Sequence, residues 1–549
     1  MYKIWSKTNT MGLRGKPLRV AITICCTIGF SLFGYDQGLM SGIITGKQFN
    51  EEFPPTHGTD QHATVIQGAV TSCYELGCFF GALFALFQGD KYGRRPMIIV
   101  GSSLIVIGTV IAVSAFGPQW GLGQFVIGRV ITGLGNGMDT ATIPVWQSEI
   151  SKAENRGLLV NLEGSMVAVG TFIAYWLDFG LSYVDTSVQW RFPVAFQIVF
   201  ALFLFLGVAQ LPESPRWLIA HGLKDEAHYV LATLNDVDID DEFVIEESAI
   251  ITDGVNRFAR TQIGFKELFS GGKQQNFARM IIGASTQFFQ QFTGCNASIY
   301  YSTVLFENSI GLTGKLPLIL GGVFATIYAL STIPSFFLID RLGRRALFLI
   351  GATGQGISFT ITFACLIPDN GQNKETAKGA AVGIFLFIVF FAFTILPLPW
   401  IYPPEINPLR TRTVATAVST CTNWLTNFAV VMFTPIFIGA SSYGCYLFFA
   451  IMNFLFIPVI FWFYPETAGR ELEEIDIIFA KAYVDNRLPW RVAATLPHLN
   501  FKEQEQEGIK LGLYDDFEKE APEHVNTLSD ASGSEDGSNE AASVKPAEV

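Results

Sequence analysis

Charge is scarce in this sequence. Charged side chains make up 15% of its 549 residues, where a soluble globular chain carries about 25%. That shortage points away from the water-soluble classes and towards a membrane protein before any motif is read. Cysteine is sparse and unpatterned. There are eight, none in a CxxC spacing, which argues against a metal site or a disulfide framework. Cys25, Cys26, Cys73, Cys78, Cys295 and Cys421 lie in apolar stretches and read as small buried hydrophobes. No nucleophile–base set or metal-ligand set appears, so neither an enzyme nor a cofactor is expected. The formal net charge of -12 would suit a basic partner, but much of it sits in the last fifty residues and describes a tail. No nucleic-acid partner is implied. The opening stretch "MYKIWSKTNTMGLRGKPLR" is basic and polar, with no evident cleavable signal peptide.

Apolar residues are abundant instead. Half the chain is hydrophobic, Phe alone occurs 49 times, and the mean hydropathy is +0.36. A bilayer-spanning helix needs about 20 mostly apolar residues. Twelve stretches qualify: 20–44, 64–87, 97–117, 122–147, 157–184 and 190–211, then 280–307, 317–340, 346–367, 379–404, 411–438 and 443–464. The expected organisation is therefore an all-α membrane protein. A cytosolic N-terminal segment (1–19) leads into a six-helix half (20–211). A polar central loop with short helices (212–279) precedes a second six-helix half (280–464). A further cytosolic helix (465–482) and a polar, acidic, disordered tail (483–549) close the chain. The tail, rich in Ser and acids, is a candidate regulatory or degradation handle. "GDKYGRRP", "KAENRG" and "DRLGRR" fall on one side of this layout, and the opposite loops are not enriched in Arg. By the positive-inside rule both termini and the central loop are cytosolic.

The halves repeat. "GDKYGRRP" after the second span is echoed by "IDRLGRRA" after the eighth. "PVWQSEISKAENRG" after the fourth is echoed by "PWIYPPEINPLRTR" after the tenth, and "LPESPRWL" after the sixth by "YPETAGREL" after the twelfth. Parallel six-helix repeats mark a rocking transporter with its substrate site between the halves at the midplane. With "QQFTGCN" in the seventh span, these motifs resemble the sugar porter family of the major facilitator superfamily, over roughly residues 18–482. "SCYELGC", "TATIPVWQSEISKAENRGLLVNLEG", "STQFFQQFTGCNASIYYSTVLF" and "FYPETAGRELEEIDIIFAKAY" are similar, more narrowly, to the fungal glycerol–proton symporters of that family.

The first span, "LFGYDQGLMSG", holds one carboxylate, Asp36. An acid at the centre of a membrane helix costs about 2.5–3.5 kcal/mol on insertion scales and usually faces a partner. Gly34, Gly38 and Gly42 form a small-residue stripe for close helix contact. Asp36 lies off it, about 200° around from Gly34 at about 100° per residue, and so meets a different neighbour. The best partner is Arg129, the only basic residue of the fourth span. A pair that opens and closes during rocking would swing the acid between holding and releasing a proton. The resemblance implies that proton-coupling role for Asp36 and Arg129. The alternative is a static structural ion pair.

A sugar or polyol offers hydroxyls and no charge, so its site needs amides and aromatic faces. The seventh span supplies Gln287, Gln290, Gln291 and Asn296, the tenth Trp400, and the eleventh Asn423, Asn427 and Trp424. The resemblance implies substrate contacts for Gln290, Gln291, Asn296, Trp400 and Asn423. Interhelical hydrogen bonding is the competing use. Tyr300 and Tyr301 are candidates for an outside gate or for packing. The resemblance also implies a salt-bridge latch at the inner side. Its members are Asp90, Arg94, Arg95, Glu149, Arg156, Asp340, Arg344, Arg345, Glu405, Arg412 and Glu466. Asn296–Ala297–Ser298 matches a glycosylation sequon but lies inside a span and should be unmodified.

Hexose porters usually carry a fifth-span Gln where this chain aligns Gly164, beside Glu163. The eighth-span position where some hexose carriers have Asn aligns with Tyr328, with Thr326 the alternative inward-pointing residue, and a tenth-span position that can be acidic aligns with Ala392. The expected function is thus proton symport of glycerol or a similar small polyol across the plasma membrane, by a monomeric transport unit in the lipid bilayer. A hexose carrier is the alternative, and a transporter-like nutrient receptor a minor one.

Overall fold

The computed structural model describes residues 10–117, 120–151, 156–260, 267–367, 374–408, 410–499 and 501–513. Among them the regular structure is helical, with no strand. The first half comprises α1 (Gly15–Ile43), the short α2 (Lys47–Glu52), α3 (Gln61–Tyr92), α4 (Arg94–Val113), α5 (Gly121–Ile150), α6 (Arg156–Leu181) and α7 (Val188–Ala209). Three more helices follow: α8 (Pro215–Ala220), α9 (Lys224–Asn235) and α10 (Glu242–Arg260). The second half runs through α11 (Asn276–Phe292), α12 (Cys295–Val304), α13 (Leu316–Ser331), α14 (Ser335–Leu342), α15 (Arg344–Leu366), α16 (Lys374–Phe390), α17 (Leu398–Ile406), α18 (Arg412–Ala440) and α19 (Ser442–Phe463). Then come α20 (Leu472–Val484), α21 (Pro489–Thr495) and α22 (Phe501–Lys510).

Each of the twelve expected spans is a helix or a broken helix. Nine described helices are long and apolar enough to cross a bilayer, or ten with α13 and α14, which bend by 47°, taken as one span. The two remaining spans are α5 and the α11–α12 pair. Their departure from apolar composition has a physical content. α5 holds Arg129, Asn136, Asp139 and Gln147 in its buried face, and α11–α12 hold Gln287, Gln290, Gln291 and Asn296. Polar side chains at that depth persist only where protein covers them.

Small residues set the packing of the first half. A Cβ on Gly34 would run into the carbonyl of Val167, and one on Gly42 would lie 2.5 Å from Asp178 Oδ2, so the predicted stripe of α1 seats against α6. Gly77 and Gly81 of α3 abut the α5 backbone at Val130 and Leu134, while Gly133 and Gly137 of α5 abut α3 at Tyr74 and Cys78. Helices this close leave no room for side chains between them. Across the two halves α3 packs on α18, α6 on α13, and α1 on α12. The first two contacts exchange under the six-helix repeat.

The tight connections repeat as well. Gly93, between α3 and α4, has φ +100°, and Gly343, between α14 and α15, has φ +86°. L side chains rarely adopt that region. A Cβ would also lie 2.6 Å from Glu213 at the first site and 2.5 Å from Glu466 at the second.

At the C-terminal end the structure departs from the expected boundaries. α20 runs to Val484, and α21 lies inside the stretch read as disordered. Pro489 starts α21, and Val492 and Ala493 pack on Ile478 and Ala482 of α20. Trp490 packs at a tilt against Phe461, with ring centres 5.3 Å apart. This apolar anchoring is hidden in a polar local composition. α22 lies in a separate short unit that begins at Leu499, where Lys510 Nζ sits 2.7 Å from Glu507. The acidic tail beyond residue 513 lies outside the described residues.

Candidate functional site

With its glycine stripe on α6, α1 turns Asp36 towards α5. There Arg129 Nη1 donates to Asp36 Oδ1, and both side chains are 1% exposed. The Arg129 guanidinium also lies 4.6 Å from the centre of the Tyr74 ring of α3. The pair is single-pronged. Asp36 Oδ2, Arg129 Nε and Arg129 Nη2 have no hydrogen-bond partner among the described residues. A bidentate Arg–carboxylate pair would use more of these groups. This one holds two charges out of water and leaves valences for a proton or a hydroxyl.

The seventh span breaks at Gly294, whose φ is +95° and whose Cβ would meet Phe359 and Phe449 at 2.9 Å. α11 carries Gln287, Gln290 and Gln291, and α12 carries Asn296. The amides still meet. Gln291 Nε2 donates to Asn423 Oδ1 at 2.6 Å. Asn296 Nδ2 donates to Gln291 Oε1 and to Asn427 Oδ1, both at 2.8 Å. The result is a buried row, Asn423–Gln291–Asn296–Asn427, running between α11, α12 and α18. Asn296, the sequon asparagine, spends its amide nitrogen on both bonds.

Gln287 and Gln290 face α17 and the segment before it for a reason written in "ILPLPWIYPP". Proline has no N–H, so Pro399 cannot bond the carbonyl of Ile395 and Pro403 cannot bond that of Pro399. Gln290 Nε2 supplies the missing donor to Ile395 O at 3.3 Å and also reaches Leu396 O at 3.2 Å. Gln287 Nε2 bonds Pro399 O at 2.7 Å. The amide nitrogens of both residues thus have a structural use, while Gln287 Oε1 has no partner. Trp400 is half-buried near the start of α17. Of the expected substrate residues, Gln291, Asn296 and Asn423 form one network, and Gln287 and Gln290 form a second patch beside Trp400's helix.

At the end of the bundle away from the Arg-rich loops, α12 bonds directly to the first half. Ser41 and Thr303 hydroxyls are 2.9 Å apart. Tyr175 of α6 donates to Ile299 O and meets Ser302 Oγ at 2.6 Å. Tyr300 donates to Glu75 of α3. Tyr301 stays within its own half, bonding Val431 O at 3.0 Å. Trp176 Nε1 bonds Thr326 at 3.0 Å, while Tyr328 is fully buried with its ring 6.1 Å from Phe391.

At the Arg-rich end the charged groups form two matching clips. Arg94 makes a two-pronged pair with Glu149, both bonds 3.0 Å, and reaches Asp90 at 2.8 Å. Glu213 accepts the backbone N–H groups of Arg94 and Arg95 at 3.2 and 3.0 Å, and Arg95 Nε bonds Val208 O at 3.0 Å. In the second half Arg344 pairs with Glu405 and Asp340, both at 3.0 Å. Glu466 accepts the N–H groups of Arg344 and Arg345 at 2.8 and 3.1 Å, and Arg345 Nη2 bonds Phe461 O at 2.9 Å. Burial lifts the Glu213 carboxyl above the ordinary carboxylate range, opposed by those N–H groups and by Arg94. Each of these pairs joins helices of one half and fastens that half at its base. Arg412 turns to Asn407 O, 3.2 Å away. The side chain of Arg156 lies outside the described residues.

Sequence reasoning passed over Glu213, the counterpart of Glu466, although its motif was in view. It also passed over the buried acids Glu75, Asp139 and Asp178. The signal that found Asp36, an acid inside an apolar run, is present at "SCYELGC", "GNGMDTA" and "YWLDFG".

Residues 22–479 match the family described as "Sugar (and other) transporter". The chain belongs to that family. "Sugar transporter STL1" of Saccharomyces cerevisiae is 64% identical, over 94% of this chain and 91% of the relative. "Major facilitator superfamily transporter mfsA" of Aspergillus fumigatus is 56% identical, over 92% and 94%. "Low-affinity glucose transporter HXT3" of S. cerevisiae is 33% identical, over 88% and 86%. Among solved structures, the inward-open xylose transporter XylE from E. coli has a TM-score of 0.69 at 23% identity, covering 83% of this chain and 99% of that one. The proton:xylose symporter XylE bound to 6-bromo-6-deoxy-D-glucose has a TM-score of 0.71 at 24% identity, covering 84% and 99%. At those identities the likeness carries the fold alone, and the fold is that of the major facilitator superfamily. This sugar-transporter family member is a multi-pass membrane transporter and not an enzyme.

Proposed function

We propose that the protein takes up glycerol or a similar small polyol together with a proton, by alternating access across the plasma membrane, with both termini and the Arg-rich loops in the cytosol. One observation carries this reading. A single-pronged, fully buried Asp36–Arg129 pair lies in the same bundle as a buried row of neutral amides on α11, α12 and α18. The pair supplies a group that can take up and release a proton. The amides suit a ligand with hydroxyls and no charge. Gln287 Oε1, without a partner among the described residues, offers an acceptor, and Asn427 Nδ2, which lies near Glu75, offers a donor. Gln290, Gln291, Asn296, Asn423 and Trp400 complete the proposed substrate site, and one chain makes one transport unit.

Small size is the second part of the proposal. Gly164 has no atom within 4 Å of where a Cβ would stand, and as a glycine it brings no side-chain hydroxyl-binding group of its own. Tyr328 brings a buried ring, and Ala392 brings no polar atom. A buried hydroxyl left unpaired costs about 1–3 kcal/mol, so a hexose would be disfavoured relative to glycerol. The bonds of α12 to Ser41, Tyr175 and Glu75 fit a state closed towards the outside. A hexose carrier is the second reading, favoured by the 33% identity to a glucose transporter.

Purified protein in liposomes decides between them. Labelled glycerol should accumulate when the outside is made acidic, and a large excess of glucose should hardly slow it. Glucose that competes at equal concentration and is itself accumulated would return the protein to the hexose carriers.

A further inference from the structure

A second carboxylate lies beside the Asp36–Arg129 pair. Glu75 sits in the middle of α3, in "SCYELGC", and is 0% exposed. Two glycines place it. Gly77 and Gly81 bring α3 against the backbone of α5, the helix of Arg129. Glu75 Oε1 accepts the Tyr300 hydroxyl of α12, so this carboxylate bonds across the two halves. Among the described residues Glu75 Oε2 and Asn427 Nδ2 of the amide row complete no hydrogen bond within the usual geometry, although the two side chains are near enough to interact with each other. The groups facing Glu75 come from every helix around it. Asp36 of α1, Arg129 of α5 and Asn427 of α18 lie within its electrostatic reach. So do Tyr74 and Cys78 of its own helix and Cys295, Tyr300 and Tyr301 of α12.

The charges of this group do not balance. It contains two carboxylates and one guanidinium, and an uncompensated charge so deep in a membrane protein is costly. One bound proton makes the group neutral. The two acids also differ in what they touch. Asp36 bonds Arg129 within the first half. Glu75 bonds the half-helix that carries Asn296, the link between the two partners Gln291 and Asn427 in the amide row.

We propose that Glu75 is a coupling residue, which shares the transported proton with Asp36 and, through Tyr300, ties that proton to the closing of α12 over the polyol. This rests on the proton-symport reading above. The proton enters as a hydrated proton from the acidic side and converts one carboxylate of the group to its acid form. It leaves to water on the other side, and no bond of the substrate forms or breaks. With the group neutral, the Glu75–Tyr300 bond holds α12 against α3 and the outer side stays closed. Loss of the proton leaves a net negative charge at that joint and favours its opening.

Glu75→Gln keeps an oxygen to accept the Tyr300 hydroxyl but cannot ionise. Tyr300→Phe keeps the carboxylate and cuts its bond to α12. Both are to be compared with wild type in liposomes, by glycerol counterflow at symmetric pH, by accumulation under an inward proton gradient, and by proton entry read with a trapped pH dye. One pH unit supports about tenfold accumulation at one proton per substrate. Glu75→Gln should lose that factor of about ten, and its counterflow should lose the pH dependence of wild type. Tyr300→Phe should admit protons without glycerol. Wild-type accumulation and pH dependence in Glu75→Gln would overturn the proposal. If Glu75→Gln gives no counterflow, Tyr300→Phe decides: a proton leak supports the proposal, and full coupling overturns it. A wild-type protein that ignores the pH gradient would instead refute the symport reading itself.

Discussion

Gln291 is the residue through which the proposed substrate site can be tested most sharply. It bonds both α18 and α12, through Asn423 at 2.6 Å and Asn296 at 2.8 Å. In Gln291→Ala, Asn296 keeps its bond to Asn427, whereas Asn423 Oδ1 loses the amide donor it has here. Hydrogen bonds between membrane helices average about 0.6 kcal/mol, so the protein should still fold and reach the membrane. A buried acceptor left bare costs about 1–3 kcal/mol. Any bond from Gln291 to a polyol hydroxyl would be lost as well. Together these should raise the half-saturation concentration for glycerol about tenfold, the equivalent of about 1.4 kcal/mol, with a smaller change in maximal rate. Uptake over a glycerol concentration series, normalised to membrane-inserted protein, measures both. Asn423→Ala should have a similar effect, and the double variant should fall short of the sum, because the two act through one bond. An unchanged half-saturation concentration in Gln291→Ala, or strict additivity with Asn423→Ala, would refute the reasoning.

Asp36→Asn keeps the shape of the carboxylate but cannot release a proton; accumulation under a pH gradient should vanish while counterflow persists, and pH-driven accumulation by the variant would remove Asp36 from coupling. Gly34→Ala should lower the melting temperature of the purified protein sharply, since its methyl would enter the Val167 carbonyl and overpacking costs about 1–3 kcal/mol or more; an unshifted melting curve would contradict the α1–α6 packing. Glu213→Gln and Glu466→Gln each replace the acid that accepts two backbone N–H groups, and both should destabilise the protein by comparable amounts, as read by thermal unfolding. A tag at the N-terminus should be protected from added protease on intact cells and cleaved after permeabilisation; cleavage on intact cells would reverse the proposed orientation.

Much of this protein is legible in one dimension. Most spans appear as apolar runs because a helix in lipid must cover its backbone polar groups internally and present apolar side chains outward. Asp36 and Arg129 could be paired on paper because a charge at that depth requires a partner, and few candidates exist. The Gly34–Gly38–Gly42 stripe announced a close contact, and the structure supplies its other face, α6. The repeated "GRR" motifs announced matching charged sites, and both clips form. The tertiary structure alone decided which groups meet. Gln287 and Gln290 read as hydroxyl ligands until α17 brought its proline-freed carbonyls beside them. The break at Gly294 moved Asn296 onto its own half-helix, where it joins Asn427. Glu75 carried the same signal as Asp36, but its importance lies in Tyr300, more than two hundred residues away and in the other half. Periodicity and the cost of burying charge act locally and are written along the chain. The choice of partner depends on how helices cross, and that is set by the packing of all of them at once.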